Sequence, residues 1–415
     1  MIYNQNLNKI LSLLLLCLLL SSCADRTEVE TSAYILAVGL DKSPNDNSDN
    51  IQVTYLIANP KYGTEQQGGG APPNAAPAEI ISFEASDIIS AENIANAVIA
   101  KDVTYNILRA FVVSEEFAKT DNFMRWMYDI TKGIALRRDI NFLVTKEDPL
   151  TFFEKNQPVL ESRMHKYFKF VFEQDTKTGQ IPNSVVNDLF RITAADGDLF
   201  LAIYATAEQS DQPLSNPANY KAGEFPYEGR TNFINYGGSA VFKKGKMIGT
   251  LTTEETKLSI LLKRTLSAED MLFILEDPFN DAYEMTIKVE QREKADVQVD
   301  IKNDTITVDL PLAVDVLTNH SMVDFADSTT RQHELKESIR SQLHNKIEKL
   351  IKKTKEELKG NPFAWSLAAR KQFLTIPKYK AYNWMEKYPD MDVKVSVDIR
   401  VENVGRQVEL PKMKE

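Results

Sequence analysis

The placement of cysteine constrains this chain more than any other feature of its sequence. The 415 residues include two cysteines, Cys17 and Cys23, and both lie near the amino terminus. The body that follows therefore cannot contain a disulfide framework, a thiolate metal site or a cysteine nucleophile. The 43% hydrophobic composition is ordinary for a folded globular protein, and the length suggests two or three domains, each able to bury its own core.

An apolar segment precedes the second cysteine. It runs from Ile10 to Leu20 after Lys9, and as a helix it would span about 16 Å, half of the ~30 Å hydrocarbon core of a bilayer. This length is typical of the apolar region of a secretory signal and is too short for a membrane span. Because no later segment approaches about 18 consecutive apolar residues, we expect a water-soluble body.

The residues Leu20-Ser21-Ser22-Cys23 resemble the lipobox of bacterial lipoproteins, in which an aliphatic and two small residues precede a cysteine. Small side chains let an extended backbone enter a narrow protease site, and the cysteine thiol accepts diacylglycerol. We therefore predict a signal peptide over residues 1–22, cleavage between Ser22 and Cys23, and an S-diacylglycerol group on Cys23, whose amine can also be acylated. Two acyl chains hold a soluble domain firmly on a bilayer.

Two alternatives for the amino terminus stay open. The ordinary signal peptidase could cut after Ala24, since Ser22-Cys23-Ala24 fits its small-residue rule, and would release a secreted protein without lipid. The apolar run could also begin a buried core helix.

Charge argues against nucleic acid as the main partner. The chain has 49 Lys and Arg against 59 Asp and Glu, a formal net charge of −10. A protein that neutralises many phosphates is normally basic.

Residue types that perform chemistry are scarce. Of the four histidines, His165, His320, His333 and His344, the last two would lie about 16 Å apart on one helix, too far to share a metal ion. Neither an HExxH motif nor a GxSxG motif is present. We therefore predict no metal site, no cofactor and no enzymatic activity.

The first half of the body alternates between strand and helix patterns. This alternation predicts an α/β domain over residues 23–207. The predicted strands are 34–40, 51–57, 107–113 and 140–144, and the predicted helices are 86–100, with Ser86 as its N-cap, and 114–128.

Residues 208–229 are rich in Ser, Pro, Asn and Gly and predict a linker or a long surface loop. The C-terminal domain then covers residues 230–415, with a further division into 230–280 and 281–415 as an alternative. The overall fold class is mixed α+β, with several domains.

The second half predicts mostly antiparallel strands and one long helix. A hairpin turns at Gly245, further strands alternate in polarity, and the last strand covers residues 393–401. The long helix begins at Thr329, where Gln332 would complete a capping box, and it ends before Gly360. Its apolar stripe is expected to pack on its own sheet, although a partner could also cover it.

Aromatic residues and lysines alternate near the C-terminus. We expect the rings to cap the C-terminal sheet and the lysines to face water, while a nucleic-acid, membrane or partner surface is the alternative. The rings are Trp365, Phe373, Tyr379, Tyr382, Trp384 and Tyr388, and the lysines are Lys371, Lys378, Lys380 and Lys387.

Four stretches carry a family resemblance. They are Asp25-Arg26 after Cys23 with residues 38–42 (VGLDK), residues 110–116 (AFVVSEE) with 137–140 (RRDI), residues 238–249 (GSAVFKKGKMIG) with 254–256 (EET), and the long helix with Trp384, residues 388–390 (YPD) and the final strand. In this order they resemble the Ger(x)C family of spore germination lipoproteins, the C subunits of nutrient germinant receptors in spore-forming Gram-positive bacteria. The departures from the family pattern, Ala24, residues 361–364 (NPFA) and the long loop at 60–79, bear on the subfamily.

The resemblance implies a non-enzymatic, membrane-anchored subunit on the outer face of the inner spore membrane. Its partners would be two integral membrane subunits, A and B, which act with it in nutrient-triggered germination. Cys23 is the one site residue that the resemblance transfers. The competing function is that of an extracytoplasmic solute-binding lipoprotein, which usually has two α/β lobes around a cleft.

Overall fold

Two β-sheets with helices packed on them form the described part of the chain. The structure is a computed structural model. It describes residues 31–404 except 46–48, 60–76, 134–136, 138, 162, 213, 215, 266–268, 322 and 324–327.

The first sheet has nine described strands in the order β3-β2-β1-β5-β6-β7-β8-β9, with β4 beside the start of β1. Strands β1, β5, β6 and β7 are mutually parallel, and β4 also pairs parallel with β1. Strands β2, β3, β8 and β9 pair antiparallel with their neighbours. The nine strands are β1 (Ser32–Lys42), β2 (Ile51–Ala58), β3 (Ala78–Ala85), β4 (Asp102–Thr104), β5 (Ala110–Ser114), β6 (Asn141–Thr145), β7 (Phe200–Thr206), β8 (Asn235–Lys243) and β9 (Lys246–Leu251).

Helices cover both faces of this sheet, which explains why its central strands are continuously apolar. They are α1 (Ile88–Ile99), α2 (Glu115–Ala118), α3 (Phe123–Gly133), α4 (Pro149–Lys155), α5 (Met164–Lys177) and α6 (Val186–Ala195). Helices α1, α2, α3 and α6 bury side chains in the core on one face. Helices α4 and α5 do so on the other face. The predicted α/β organisation of the first half is confirmed.

Two local predictions in this half are wrong. Asp87, not Ser86, is the N-cap of α1, because its carboxylate accepts from the N–H groups of Ile89 and Ser90. The helix predicted over 114–128 is two helices, since Ser114 ends β5 and caps the four-residue α2 before the chain turns into α3.

Residues 208–229 connect β7 to β8, which are antiparallel neighbours in the first sheet. The segment is therefore a long connection within one sheet. Strands β8 and β9 come after this segment in the sequence and still belong to the first sheet. The domain boundaries taken from the sequence stay predictions.

The second sheet follows α7 (Thr253–Leu261). It consists of β10 (Met271–Glu276), β11 (Glu284–Gln291), β12 (Asp296–Asp300), β13 (Thr305–Asn319) and β14 (Asp392–Asn403). Strands β11 and β12 pair antiparallel with the two halves of β13, and β14 pairs parallel with its other side. The prediction of mostly antiparallel strands is confirmed, with this one parallel pair.

The long helix α8 (Thr329–Glu356) packs on this sheet through its apolar stripe, as predicted. Its N-cap is Ser328, whose hydroxyl accepts from the Arg331 N–H, so the capping box predicted at Thr329 is wrong. Short helices α9 (Ser366–Arg370), α10 (Ile376–Tyr382) and α11 (Trp384–Lys387) and a 3-10 turn (Tyr388–Asp390) lead to β14. Trp365, Trp384 and Tyr388 are buried there, which confirms that these rings cap the sheet.

One hydrophobic core joins the two sheets. Leu199, Leu201, Val241 and Leu251 of the first sheet region lie in the same cluster as the buried residues of the second sheet and α8. The two sheets are therefore in direct apolar contact.

Candidate functional site

The predicted cleavage and lipidation residues, Ser22 and Cys23, lie outside the described residues. The described chain begins at Thr31, directly before β1. Of the helices in the described ranges, none combines the length and the apolar character that a membrane crossing requires.

The carboxyl ends of four parallel strands form the first candidate site. β1 ends at Lys42, β5 at Ser114, β6 at Thr145 and β7 at Thr206. Because the four strands run in one direction, their last residues and following loops meet at one end of the sheet, where α/β proteins commonly bind ligands.

Asp41 and Ser114 connect the first two of these strand ends. The Ser114 hydroxyl donates to Asp41 Oδ1, and the Lys42 N–H donates to the same oxygen at 2.7 Å. Burial raises the pKa of Asp41, although both hydrogen bonds act in the opposite direction. Lys42 also pairs with Glu116. Two stretches that were singled out separately in the sequence thus meet in space.

Glu115 connects the end of β5 to β7. The Tyr204 hydroxyl donates to Glu115 Oε2 at 2.6 Å, and Lys119 pairs with the other oxygen. Burial raises the pKa of Glu115, but the hydrogen bonds from Lys119 and Tyr204 outweigh it and hold that pKa below its ordinary value. The pKa of Tyr204 is raised by its burial and by the neighbouring Glu115.

Glu147 connects β6 to β7. The Thr206 hydroxyl donates to Glu147 Oε2 at 2.6 Å, and the Ala207 N–H donates to Oε1 at 2.5 Å. Burial raises the pKa of Glu147 above its ordinary value. At the rim, Lys146 pairs with Glu208 at 2.6 Å.

Each half-buried carboxylate at this end therefore accepts a hydrogen bond from the hydroxyl of another strand end. Such bonds satisfy acceptors that burial removes from water. Within the described ranges, no three His, Cys, Asp or Glu side chains are grouped so that they could hold a metal ion. The network fixes the strand ends relative to one another.

An open cavity of about 310 Å³ lies beside the network. The residues that follow β1 line one side of it, and Phe117, Arg125 and Trp126 line the other. Its charged lining includes Asp49 and Arg125, which carry opposite signs. Together with Lys42, these residues give the cavity lining charges of both signs.

The second candidate site is the junction between the sheets, where α7 meets α8. Thr252 and Glu255 form a reciprocal capping box at the start of α7. Glu254 pairs with Lys346 of α8 at 2.8 Å, and Glu255 pairs with Lys353 of α8 at 2.8 Å. These side chains are mostly shielded from water, so solvent screens the pairs less than it screens exposed ones.

Close packing of the β8–β9 hairpin supports this junction. Gly238 has φ +80°, and a Cβ atom there would overlap the carbonyl oxygen of Leu251. The buried hydroxyls of Ser239 and Thr256 hydrogen bond at 2.7 Å and join β8 to α7. Residues 238–249 and 254–256, two pieces of the family resemblance, are thus in contact.

Sequence reasoning missed the residues that complete both sites. Tyr204 lies on β7, whose residues are all buried, so no alternating pattern marked that strand. Lys346 and Lys353 resemble the solvated face of a helix. Their spacing, two turns along one face of α8, was the available signal, together with the adjacent Glu254 and Glu255.

Comparison with known proteins gives consistent matches over both halves. Residues 25–206 match the family described as Spore germination protein N-terminal domain, and residues 237–405 match Spore germination B3/GerAC like, C-terminal. YfkR of Bacillus subtilis (strain 168), named as a spore germination protein, is 22% identical over 399 residues, which cover 94% of this chain and 95% of YfkR.

A solved structure has the same fold. The crystal structure of the GerBC protein aligns with 91% of this chain and 99% of its own, with a TM-score of 0.50 and 16% identity. The two family matches, the relative and the shared fold agree with the order of motifs along the sequence. The chain belongs to the Ger(x)C family of spore germination proteins.

Proposed function

We propose that this protein is the membrane-anchored C subunit of a nutrient germinant receptor. It acts without catalysis and works with the integral membrane subunits A and B. The observation that carries the proposal is the lipobox at residues 20–23, placed eight residues before Thr31, in a chain of the spore germination family.

A tether formed by residues 23–31 explains how a body without a described membrane span would stay beside membrane partners. Eight residues from Cys23 to Thr31 can extend at most about 29 Å. An acylated Cys23 therefore confines β1 and the rest of the body to a thin layer above the bilayer. Confinement raises the effective concentration of the body for partners in that membrane.

The described carboxylates support a role without catalysis. Asp41, Glu115 and Glu147 already accept hydrogen bonds from neighbouring hydroxyls, and these bonds join strand ends. Such an arrangement suits a rigid scaffold that presents its surface to partner subunits.

Replacement of each of the two cysteines tests the anchor. In Cys23→Ala we expect loss of acylation, an altered mature N-terminus and a large fall in nutrient-triggered germination. Cys17→Ala is the matched control and should behave as wild type, because Cys17 lies in the segment that is removed. Intact mass of the mature protein and germination rate are the measurements. Normal germination by Cys23→Ala, with the protein in the aqueous phase of a detergent partition, would refute the proposal.

Direct capture of a small solute is a second candidate function, and the cavity with Asp49 and Arg125 favours it. Calorimetry of the wild-type protein with amino acids and sugars tests it. Micromolar binding that Arg125→Ala abolishes would support capture by this protein. Equal binding by the variant would place the ligand elsewhere.

A further inference from the structure

A stretch near the C-terminus reverses the acidic character of the chain. Between Glu357 and Glu386 the sequence has no Asp or Glu and has five basic residues, Lys359, Arg370, Lys371, Lys378 and Lys380. The whole chain has a net charge of −10. We name residues 366–380, which contain four of the five, the basic loop.

Exposed aliphatic side chains lie among these cations. Leu374 is 94% exposed, Ile376 is 54% exposed and Leu367 is 47% exposed. Phe373 instead packs on Tyr379 and Tyr382, with ring centroids 5.6 and 5.2 Å apart. The aromatic residues therefore anchor the loop, and the aliphatic residues project from it.

The cations of the basic loop are free to meet an outside anion. Arg370, Lys371, Lys378 and Lys380 are exposed, and none forms an ion pair with any residue that the structure describes. The nearby acids are engaged elsewhere: Asp198 accepts from Ser366, Asp196 pairs with Lys244, and Asp304 accepts from Tyr382. Exposed aliphatics between unpaired cations are typical of a surface that lies on anionic lipid.

The basic loop lies at the same end of the first sheet as the tether. The Ser366 N–H donates to Asp198 at 3.2 Å, and Asp198 lies two residues before β7 begins. Parallel β1 begins at Ser32 at that same end. Because β5 and β6 separate β1 from β7, and the register places Ser32 about four residues beyond Phe200 along the strands, the starts of β1 and β7 are about 20 Å apart.

We propose that the basic loop rests on the anionic surface of the bilayer that holds Cys23. The inference rests on the proposed function, since the lipid on Cys23 brings this end of the molecule to the membrane. The tether, of at most about 29 Å, reaches farther than the distance between the two strand starts. Lipid contact would fix the orientation of the body, with the carboxyl ends of the parallel strands pointing away from the membrane.

A single thiol probe tests the contact in the full lipidated chain. The mature body has no cysteine after Cys23, so Leu374→Cys can be labelled alone with a fluorophore. Leu317→Cys, at a 49% exposed position near the end of β13, is the matched control. In vesicles of equal parts phosphatidylglycerol and phosphatidylcholine, nitroxide lipids should quench the probe at 374 strongly and the probe at 317 weakly.

The outcomes separate this inference from the proposed function. If the protein does not float with the vesicles, the lipid anchor fails. If it floats and the two probes are quenched equally, the anchor holds and the inference is overturned. If the probe at 374 is quenched as strongly in vesicles of phosphatidylcholine alone as in vesicles that contain phosphatidylglycerol, the role of the cations is overturned. Protection of the probe at 374 by a partner protein, and not by lipid, would overturn the proposed contact with the bilayer.

Charge reversal tests the cations in the mature chain made without lipid, residues 24–415, which contains every described residue. Each basic residue near an anionic surface strengthens binding about fivefold. Lys378→Glu/Lys380→Glu should therefore weaken sedimentation with phosphatidylglycerol vesicles at least about 25-fold. Lys349→Glu/Lys352→Glu, on the exposed face of α8, changes net charge equally and should retain most binding. Equal losses in both variants would contradict a local contact.

Discussion

At the scale of single residues, burial sets the behaviour of the polar groups. Asp41 and Glu147 have raised pKa values because they are buried, and hydroxyl groups from neighbouring strands limit the shift. The pKa of Asp198, which accepts hydrogen bonds from Ser366 in the second half of the chain, is also raised. Burial raises its pKa to about 6, while hydrogen bonds from Ser366 lower it. The contribution of these residues to the free energy of unfolding therefore depends on pH.

Asp198 makes stability fall as the pH rises. Its ordinary pKa is 3.8 and its folded pKa is about 6, so between these values the unfolded chain releases a proton that the folded chain retains. From about pH 4 to about pH 7, wild type should lose about 2 kcal/mol more unfolding free energy than Asp198→Asn. Urea unfolding at both pH values measures this. Asp196→Asn, in the exposed neighbour, is the control, and an identical pH slope in all three proteins would contradict the assignment.

Gly238 is the residue at which backbone geometry leaves no room for a side chain. Gly238→Ala would force an alanine to φ +80° and against the Leu251 carbonyl, so unfolding free energy should fall by about 2–4 kcal/mol. Gly249→Ala in the paired strand is the matched control, because its Cβ would lie 3.4 Å from Leu358, an ordinary contact. Its stability should change by less than about 1 kcal/mol. Urea midpoints that fall equally would contradict the prediction.

At the scale of elements, α8 organises the second half of the molecule. Its apolar stripe packs on the second sheet, its lysines reach α7, and His344 contacts the Val395 carbonyl of β14 at 3.1 Å. One helix thus contacts a core, a neighbouring helix and an edge strand. Its stability depends on tertiary packing, as is usual for helices in proteins.

Truncation of the stripe measures that dependence. Ile339 is fully buried, so Ile339→Ala removes three carbon atoms from the core and should lower unfolding free energy by about 2–5 kcal/mol. Lys349→Ala, on the exposed face of the same helix, should change it by less than about 0.5 kcal/mol. Chemical denaturation of both variants tests the difference, and a loss below about 1 kcal/mol for Ile339→Ala would contradict the packing.

At the scale of the whole molecule, the two sheets share one core. Leu199 and Val241 from the first sheet region lie in the same cluster as Ile287 and Leu343 from the second. The ion pairs Glu254–Lys346 and Glu255–Lys353 cross the same junction. We therefore expect the two sheets to unfold together, although the family matches divide the sequence into two parts.

Tryptophan placement allows a direct test of that coupling. Trp126 lies in the first half, and the other two tryptophans, Trp365 and Trp384, are buried in the second. In Trp126→Phe, fluorescence reports on the second half alone and far-ultraviolet circular dichroism reports on both. The two urea curves should coincide, as for a two-state protein. Separate midpoints would show that the sheets unfold independently.

The sequence by itself determined the elements whose pattern is local. The alternation of β14, the apolar stripe of α8 and the turn at Gly245 each follow from side-chain period or turn chemistry within a few residues. The family also followed from motif order. Local pattern could not distinguish Ser86 from Asp87 as a cap, because neighbouring polar residues are equivalent until backbone direction is fixed.

Tertiary structure alone decided what depends on distant residues. β7 is buried on both faces, so its sequence lacks alternation and its place beside β8 came from pairing across 208–229. The contacts of Ser114 with Asp41 and of Tyr204 with Glu115 exist because parallel strands end together. Only the packed structure distinguishes the exposed aliphatic residues of the basic loop from its aromatic rings, because the rings pack against the C-terminal sheet. Burial and partner choice are properties of the packed chain, and sequence spacing does not encode them.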